Sequence, residues 1–193
     1  MLVTGSSMVE QAMNSDRQTS GSATEDRPLP PPERLQELLF DAATIGRDDV
    51  IPALIQAGAD PAARDPRGYT PLILASYNGR EAATRLLLDL GAPVNAADAV
   101  RGNTALHGVA FKGYDAITAM LIAAGADADA RNLAGQTALM MAALFGRAEI
   151  FHRLIAAGAD PDAVDAAGNS AHSVAVAQGN EVMLQTIAAA RAA

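Results

Sequence analysis

From about residue 33 onward, apolar residues come in short bursts at helical spacing, separated by turns of glycine, aspartate and asparagine. Ile117, Met120 and Leu121 fall on one helical face, and Leu72, Leu106 and Leu139 each sit at the start of another burst. Residues with capping chemistry precede these bursts. Thr70-Pro71, Thr104-Ala105, Thr137-Ala138 and Ser170-Ala171 place a hydroxyl where it can accept a free helical N–H, and proline suits the first helical position. Each burst closes on a glycine able to take the left-handed cap conformation. The pattern predicts ten short helices in five pairs.

The glycines set the period. Gly58, Gly91, Gly125 and Gly158 are spaced 33, 34 and 33 residues apart, and each precedes alanine. Gly46, Gly79, Gly113, Gly146 and Gly179 follow at 33, 34, 33 and 33. Gly68, Gly102, Gly135 and Gly168 follow at 34, 33 and 33. Asp65-Pro66-Arg67-Gly68 is a tight turn, with aspartate to bond the backbone and glycine for positive φ. The extra residue lies between Gly91 and Gly102, in a loop where insertion costs little.

A period near 33 residues marks ankyrin repeats. The chain resembles that family over about residues 33 to 193, through Gly68-Tyr69-Thr70-Pro71-Leu72, Gly102-Asn103-Thr104-Ala105-Leu106-His107 and Gly135-Gln136-Thr137-Ala138-Leu139. Gly58-Ala59-Asp60, Gly125-Ala126-Asp127 and Gly158-Ala159-Asp160 extend the likeness. The resemblance implies an all-α solenoid of about five helix pairs with short β-turn fingers. Its repeats are 32–63, 64–97, 98–130, 131–163 and 164–193, with a capping copy at each end. The first cap has Glu37-Leu38-Leu39-Phe40 in place of the threonine-proline-leucine-histidine element, and the last has His172 where other copies have leucine. The family's histidine persists only at His107; Ile73, Met140 and Ser173 occupy its other positions, so most copies lack that link between fingers. A narrower resemblance joins Ile73–Gly79, Gly108–Gly113 and Met140–Gly146 to bacterial ankyrin proteins encoded beside haem catalases. It implies a catalase as partner and a role in supporting catalase under peroxide stress.

Composition narrows the chemistry. With 50% hydrophobic but only 4% aromatic residues, the core must be built from thin, alanine-rich helices. There is no cysteine, which excludes disulfides, thiolate metal sites and a cysteine nucleophile. A net charge of -8, with Lys112 the sole lysine, argues against nucleic acid. No apolar run is long enough to span a bilayer. Met1–Met13 lacks the features of a signal peptide, so a cytoplasmic monomer is expected; a periplasmic location is the alternative if a native leader has been removed. Residues 1–31 are polar and read as a disordered tail ending in Arg27-Pro28-Leu29-Pro30-Pro31-Pro32, a stiff linker rather than a ligand for a proline-binding domain.

No catalytic or metal constellation emerges. His107, His152 and His172 stand in separate repeats at dissimilar positions. His172 and Ser173, with Asp165, have triad residue types, but adjacent helical residues do not face each other. Asp127-Ala128-Asp129 and Asp160-Pro161-Asp162 lack the closing glutamate of a calcium loop and read as turns. No enzyme, cofactor or metal is expected.

What remains is a protein-binding surface. The family pattern implies that the two residues before each inner-helix glycine point outward on a concave face. These are Thr44-Ile45, Tyr77-Asn78, Phe111-Lys112, Leu144-Phe145 and Ala177-Gln178. The fingers would add Arg67, Tyr69, Arg101, Asn103, Leu133 and Gln136 along one rim. Large apolar side chains in Tyr77, Phe111, Leu144 and Phe145 would then form a stripe with a polar edge. The competing explanation is that these rings pack on neighbouring helices and only widen the core.

Overall fold

The computed structural model describes residues 29–192. Apart from residues 29–31, the expected tail lies outside them. Among the described residues there are ten helices: α1 (Pro32–Ile45), α2 (Ile51–Gln56), α3 (Pro71–Tyr77), α4 (Glu81–Asp89), α5 (Ala105–Lys112), α6 (Asp115–Ala123), α7 (Ala138–Leu144), α8 (Ala148–Ala156), α9 (Ala171–Ala177) and α10 (Glu181–Ala192). Consecutive helices pair as α1/α2 through α9/α10. Each inner helix also packs on the next inner helix, and each outer helix on the next outer one. The result is a solenoid of five two-helix layers.

Local chemistry sets the helix ends. The Thr70 hydroxyl accepts from the Ile73 N–H at 3.3 Å, and Thr137 accepts from Met140 in the same way. At the end of α1, Gly46 lies at φ 84, and its N–H donates to the Ala42 carbonyl. That left-handed conformation turns the chain into the outer helix.

The inner row is held by small residues. Ala43, Ser76, Ala110 and Ala143 occupy one equivalent position in four repeats and are fully buried. Only short side chains let successive helices approach this closely. Bulk comes from Leu72, Leu106 and Leu139, each buried as expected, and from the outer-row residues Leu87, Leu121, Phe151 and Leu154. A forked ion pair, Arg153 Nε to Asp115 Oδ1 at 2.8 Å and Nη2 to Oδ2 at 2.7 Å, ties α8 to α6.

Fingers join the layers on one side. In three of them the glycine N–H closes a turn onto the residue three positions back: Gly68 to Asp65, Gly135 to Asn132, and Gly168 to Asp165. The inserted residue changes the second finger, where the Gly102 N–H reaches the Asp98 carbonyl four positions back at 3.2 Å. Neighbouring fingers are linked by single backbone bonds, Ala99 N–H to Gly68 O, Leu133 N–H to Arg101 O and Ala166 N–H to Ala134 O.

Candidate functional site

Three rings form a continuous row across successive inner helices. Tyr77 and Phe111 stack with centroids 6.2 Å apart and planes 12° apart. Phe111 meets Phe145 edge-on, at 4.5 Å and 74°. Tyr77 also lies over Gly108, where a Cβ would come within 3.2 Å of the ring, so the absent side chain at that position makes the seat. The rings are nonetheless 42%, 38% and 40% exposed. They pack on each other and still face solvent, which combines the two alternatives posed by the sequence. Lys112 holds its Nζ 4.8 Å from the Tyr77 centroid, Leu144 is half-buried, and Asn78 is exposed while donating to the Leu74 carbonyl at 2.7 Å.

The finger residues divide into two groups. Arg67 is exposed; it forks onto the buried Asp65 carboxylate and lies 5.4 Å from the half-buried Tyr69 ring centroid. Arg101 is exposed, and Leu133 is 77% exposed at its fingertip. Asn103 and Gln136 have a different setting: both side-chain carbonyls accept from the Asn132 amide, at 2.9 and 3.2 Å, so they brace the third finger. The sequence reading missed Val100, which the wider second finger presents at 62% exposure. Its signal was the extra residue before Gly102. Also missed were Arg64 and Arg131, whose guanidinium groups donate to the carbonyls of Ala97 and Val164, each 33 residues further along the chain.

His107 is buried, and its hydrogen bonds select one tautomer. The Gln136 carbonyl only accepts, so Nε2 carries the proton and donates across 2.9 Å to the next finger. Nδ1 then accepts from the Thr104 N–H at 3.3 Å and closes a capping box on α5. Burial pushes its pKa below the ordinary histidine value, while the Gln136 bond and Asp98 oppose that shift. His152 and His172 are exposed. The Ser173 hydroxyl turns back to Ser170, accepting its N–H at 2.9 Å, and Asp165 accepts from the Asn169 N–H at 2.8 Å. Each group thereby serves its own turn or helix start.

A shallow open groove continues from the ring row. It is lined by Leu144, Phe145, Gln178, Asn180, Glu181 and Val182. Its origin is a change of side chain. Arg80 lies against Gly46, Tyr114 against Gly79 and Arg147 against Gly113, whereas only the short Asn180 reaches Gly146. Among the described residues, no group of three or more histidines and carboxylates is placed to hold a metal, and no helix is long and apolar enough to cross a membrane.

Stacked helix pairs with projecting fingers and an exposed side-chain row define a solenoid repeat protein of the protein-binding class. The family model for ankyrin repeats (3 copies) matches residues 39–132 and 107–192, and the chain belongs to the ankyrin-repeat family. It is similar to NF-kappa-B inhibitor alpha of Rattus norvegicus, 34% identical over 101 residues covering 50% of this chain and 32% of that protein. Ankyrin repeat and KH domain-containing protein 1 of Homo sapiens is 37% identical over 91 residues, covering 47% of this chain and 4% of its own length. Palmitoyltransferase ZDHHC17 of Homo sapiens is 38% identical over 68 residues, covering 35% of this chain and 11% of its own length. The matched region therefore spans a third or less of each of these relatives.

Proposed function

We propose that this protein is a non-enzymatic module that holds a partner protein on the concave face and fingers of its second, third and fourth repeats. The observation that carries this reading is the row Tyr77–Phe111–Phe145, three touching rings that stay about two-fifths exposed. Exposed aromatic rings contribute large contact area at low entropic cost, and aromatic residues and arginine dominate interface energetics. Arg67, Arg101 and Leu133 extend the same surface along the finger rim. The adjoining groove is shallow and collects no converging titratable groups, which favours a binding surface over a reaction site.

The test replaces Phe111 and Phe145 with alanine together. Both rings are about two-fifths exposed and lie outside the buried leucine and alanine core, so the fold should survive. A photo-crosslinker at position 111 should capture a partner from native lysate, whereas one at the exposed outer-row position 85 should not. Loss of partner retention in the double variant, with helicity intact, is the expected result. Normal retention would place the binding site elsewhere. A haem catalase is the narrower candidate for that partner, carried only by the likeness of the inner-helix segments. Co-elution of the purified pair, abolished in the double variant, tests it.

A further inference from the structure

We propose that the segment bound on this surface is acidic: an extended peptide whose carboxylates meet Arg67, Arg101 and Lys112 while its large apolar side chains lie on the ring row. The inference rests on the binding surface proposed above and adds the chemistry of its occupant. In a chain of net charge -8, the finger and inner-helix segments of the middle repeats are cationic. Residues 64–79, 97–113 and 130–146 hold five cations (Arg64, Arg67, Arg101, Lys112 and Arg131) against two carboxylates. The outer segments of the same repeats, 80–96, 114–129 and 147–163, reverse the balance, with eight carboxylates against four arginines.

The two inner carboxylates are turned away from solvent. Asp65 is buried; it accepts the backbone N–H groups of Arg67 and Tyr69 and pairs with the Arg67 guanidinium, whose outer edge stays exposed, so Arg67 offers a half-cancelled charge and Arg101 and Lys112 the fuller ones. Asp98 is buried and accepts those of Val100, Arg101 and Asn103. The charges that face a partner are therefore positive. Arg64 and Arg131 donate to backbone carbonyls, which leaves their charge uncancelled. Charge segregation of this kind steers an oppositely charged partner and rejects a like-charged one.

The arrangement also has a direction. Arg67, Arg101 and Lys112 belong to the second and third repeats, whereas the finger and inner helix of the fourth present Leu133, Leu144 and Phe145 beside a single cation, Arg131. In α1, Glu37 is paired with Arg34, and the exposed Asp41 adds a carboxylate that closes the acidic-binding stretch at the first repeat. The peptide's acidic part lies over the second and third repeats and its apolar part over the third and fourth. Single-stranded nucleic acid also suits a cationic aromatic groove. Here Tyr77 is already stacked on Phe111 and approached by Lys112, so its faces are not free for bases.

Random linear peptides displayed on phage and selected on the full chain test this directly. Enriched peptides should combine net negative charge with leucine or aromatic residues. Their recovery should fall at least about tenfold on the Arg101→Glu, Lys112→Glu double variant and fall in high salt. Arg101→Gln with Lys112→Gln, checked by circular dichroism, should give an intermediate loss. Neutral or basic enriched peptides, unchanged recovery on the charge-reversed protein, or no enrichment would overturn the proposal, as would binding of oligothymidine in place of peptide. Neutral apolar peptides lost on Phe111→Ala, Phe145→Ala would sink the charge inference while leaving the surface standing. Equal recovery on that variant would sink the surface itself.

Discussion

The third and fifth repeats share a backbone plan but use the same inner-helix positions in opposite ways. In the third, Leu106 is buried, His107 reaches Gln136 in the next finger, and Ala110 is sealed by α7. In the fifth, His172 is exposed, Ser173 turns back to its own helix start, and Val176 is 53% exposed where the alanine equivalents are fully buried. An interior repeat directs its side chains toward the next layer. The terminal repeat uses the same positions on itself or leaves them to water, as expected of a solenoid end.

The strongest way to break this comparison is truncation at the equivalent sites. Leu106→Ala should cost about 2–5 kcal/mol, the usual range for a buried leucine. His172→Ala should stay within about 0.5 kcal/mol, as exposed substitutions do. Denaturant unfolding of both variants measures the contrast, and similar losses would show that the last layer is covered after all.

His107 gives the next largest effect. His107→Leu should cost about 1–2 kcal/mol at neutral pH, because it strands the Gln136 carbonyl and opens the capping box. The linkage sign follows from its lowered pKa. The folded protein takes up this proton less readily than the unfolded chain, so the contribution is complete above the ordinary value of 6.5 and fades as pH falls through the folded value. The stability gap between wild type and His107→Leu should therefore narrow from about pH 7.5 to about pH 5.5. A constant gap would mean that the imidazole takes up its proton equally readily in the folded and unfolded chain.

Asn180→Arg sharpens the comparison at its edge. An arginine there can lay its stem on Gly146 as Arg147 does on Gly113, closing the groove. Asn180 also accepts the Met183 N–H at 3.0 Å and so caps α10. Loss of that cap should outweigh the gained contact, giving a net destabilisation of roughly 1 kcal/mol in thermal unfolding. A higher midpoint would show that the groove is merely underfilled. Asp115→Asn, which halves an ion pair whose two side chains are both well exposed, should cost about 0.2–1 kcal/mol and lose even that in high salt.

The repeat plan was legible because its signals are local. A capping hydroxyl, a helix-ending glycine and a buried leucine each act within one turn of helix, and their spacing does the rest. The partial exposure of Tyr77, Phe111 and Phe145 was not legible, because it depends on how far one inner helix stands from the next. Asn103 and Gln136 read as rim contacts, but Asn132, in the place aspartate takes in the other fingers, gathers both of them. Asn180 carried no sign of a groove because its choice between capping a helix and covering a glycine is made in space. Position in the family pattern singled out Arg67, Arg101 and Lys112, but gave no sign that the nearby carboxylates are turned inward.

The links between layers have a consequence for how the chain folds. The Ala99–Gly68, Leu133–Arg101 and Ala166–Ala134 bonds each join residues about one period apart, and the Arg153–Asp115 pair spans 38 residues. Adding a layer adds contacts of the same reach, so mean sequence separation does not grow with chain length. Low contact order of this kind favours fast formation, and folding can nucleate among adjacent layers anywhere in the stack and spread along the chain. A layer that forms early can be extended by the next as soon as that segment of chain is available.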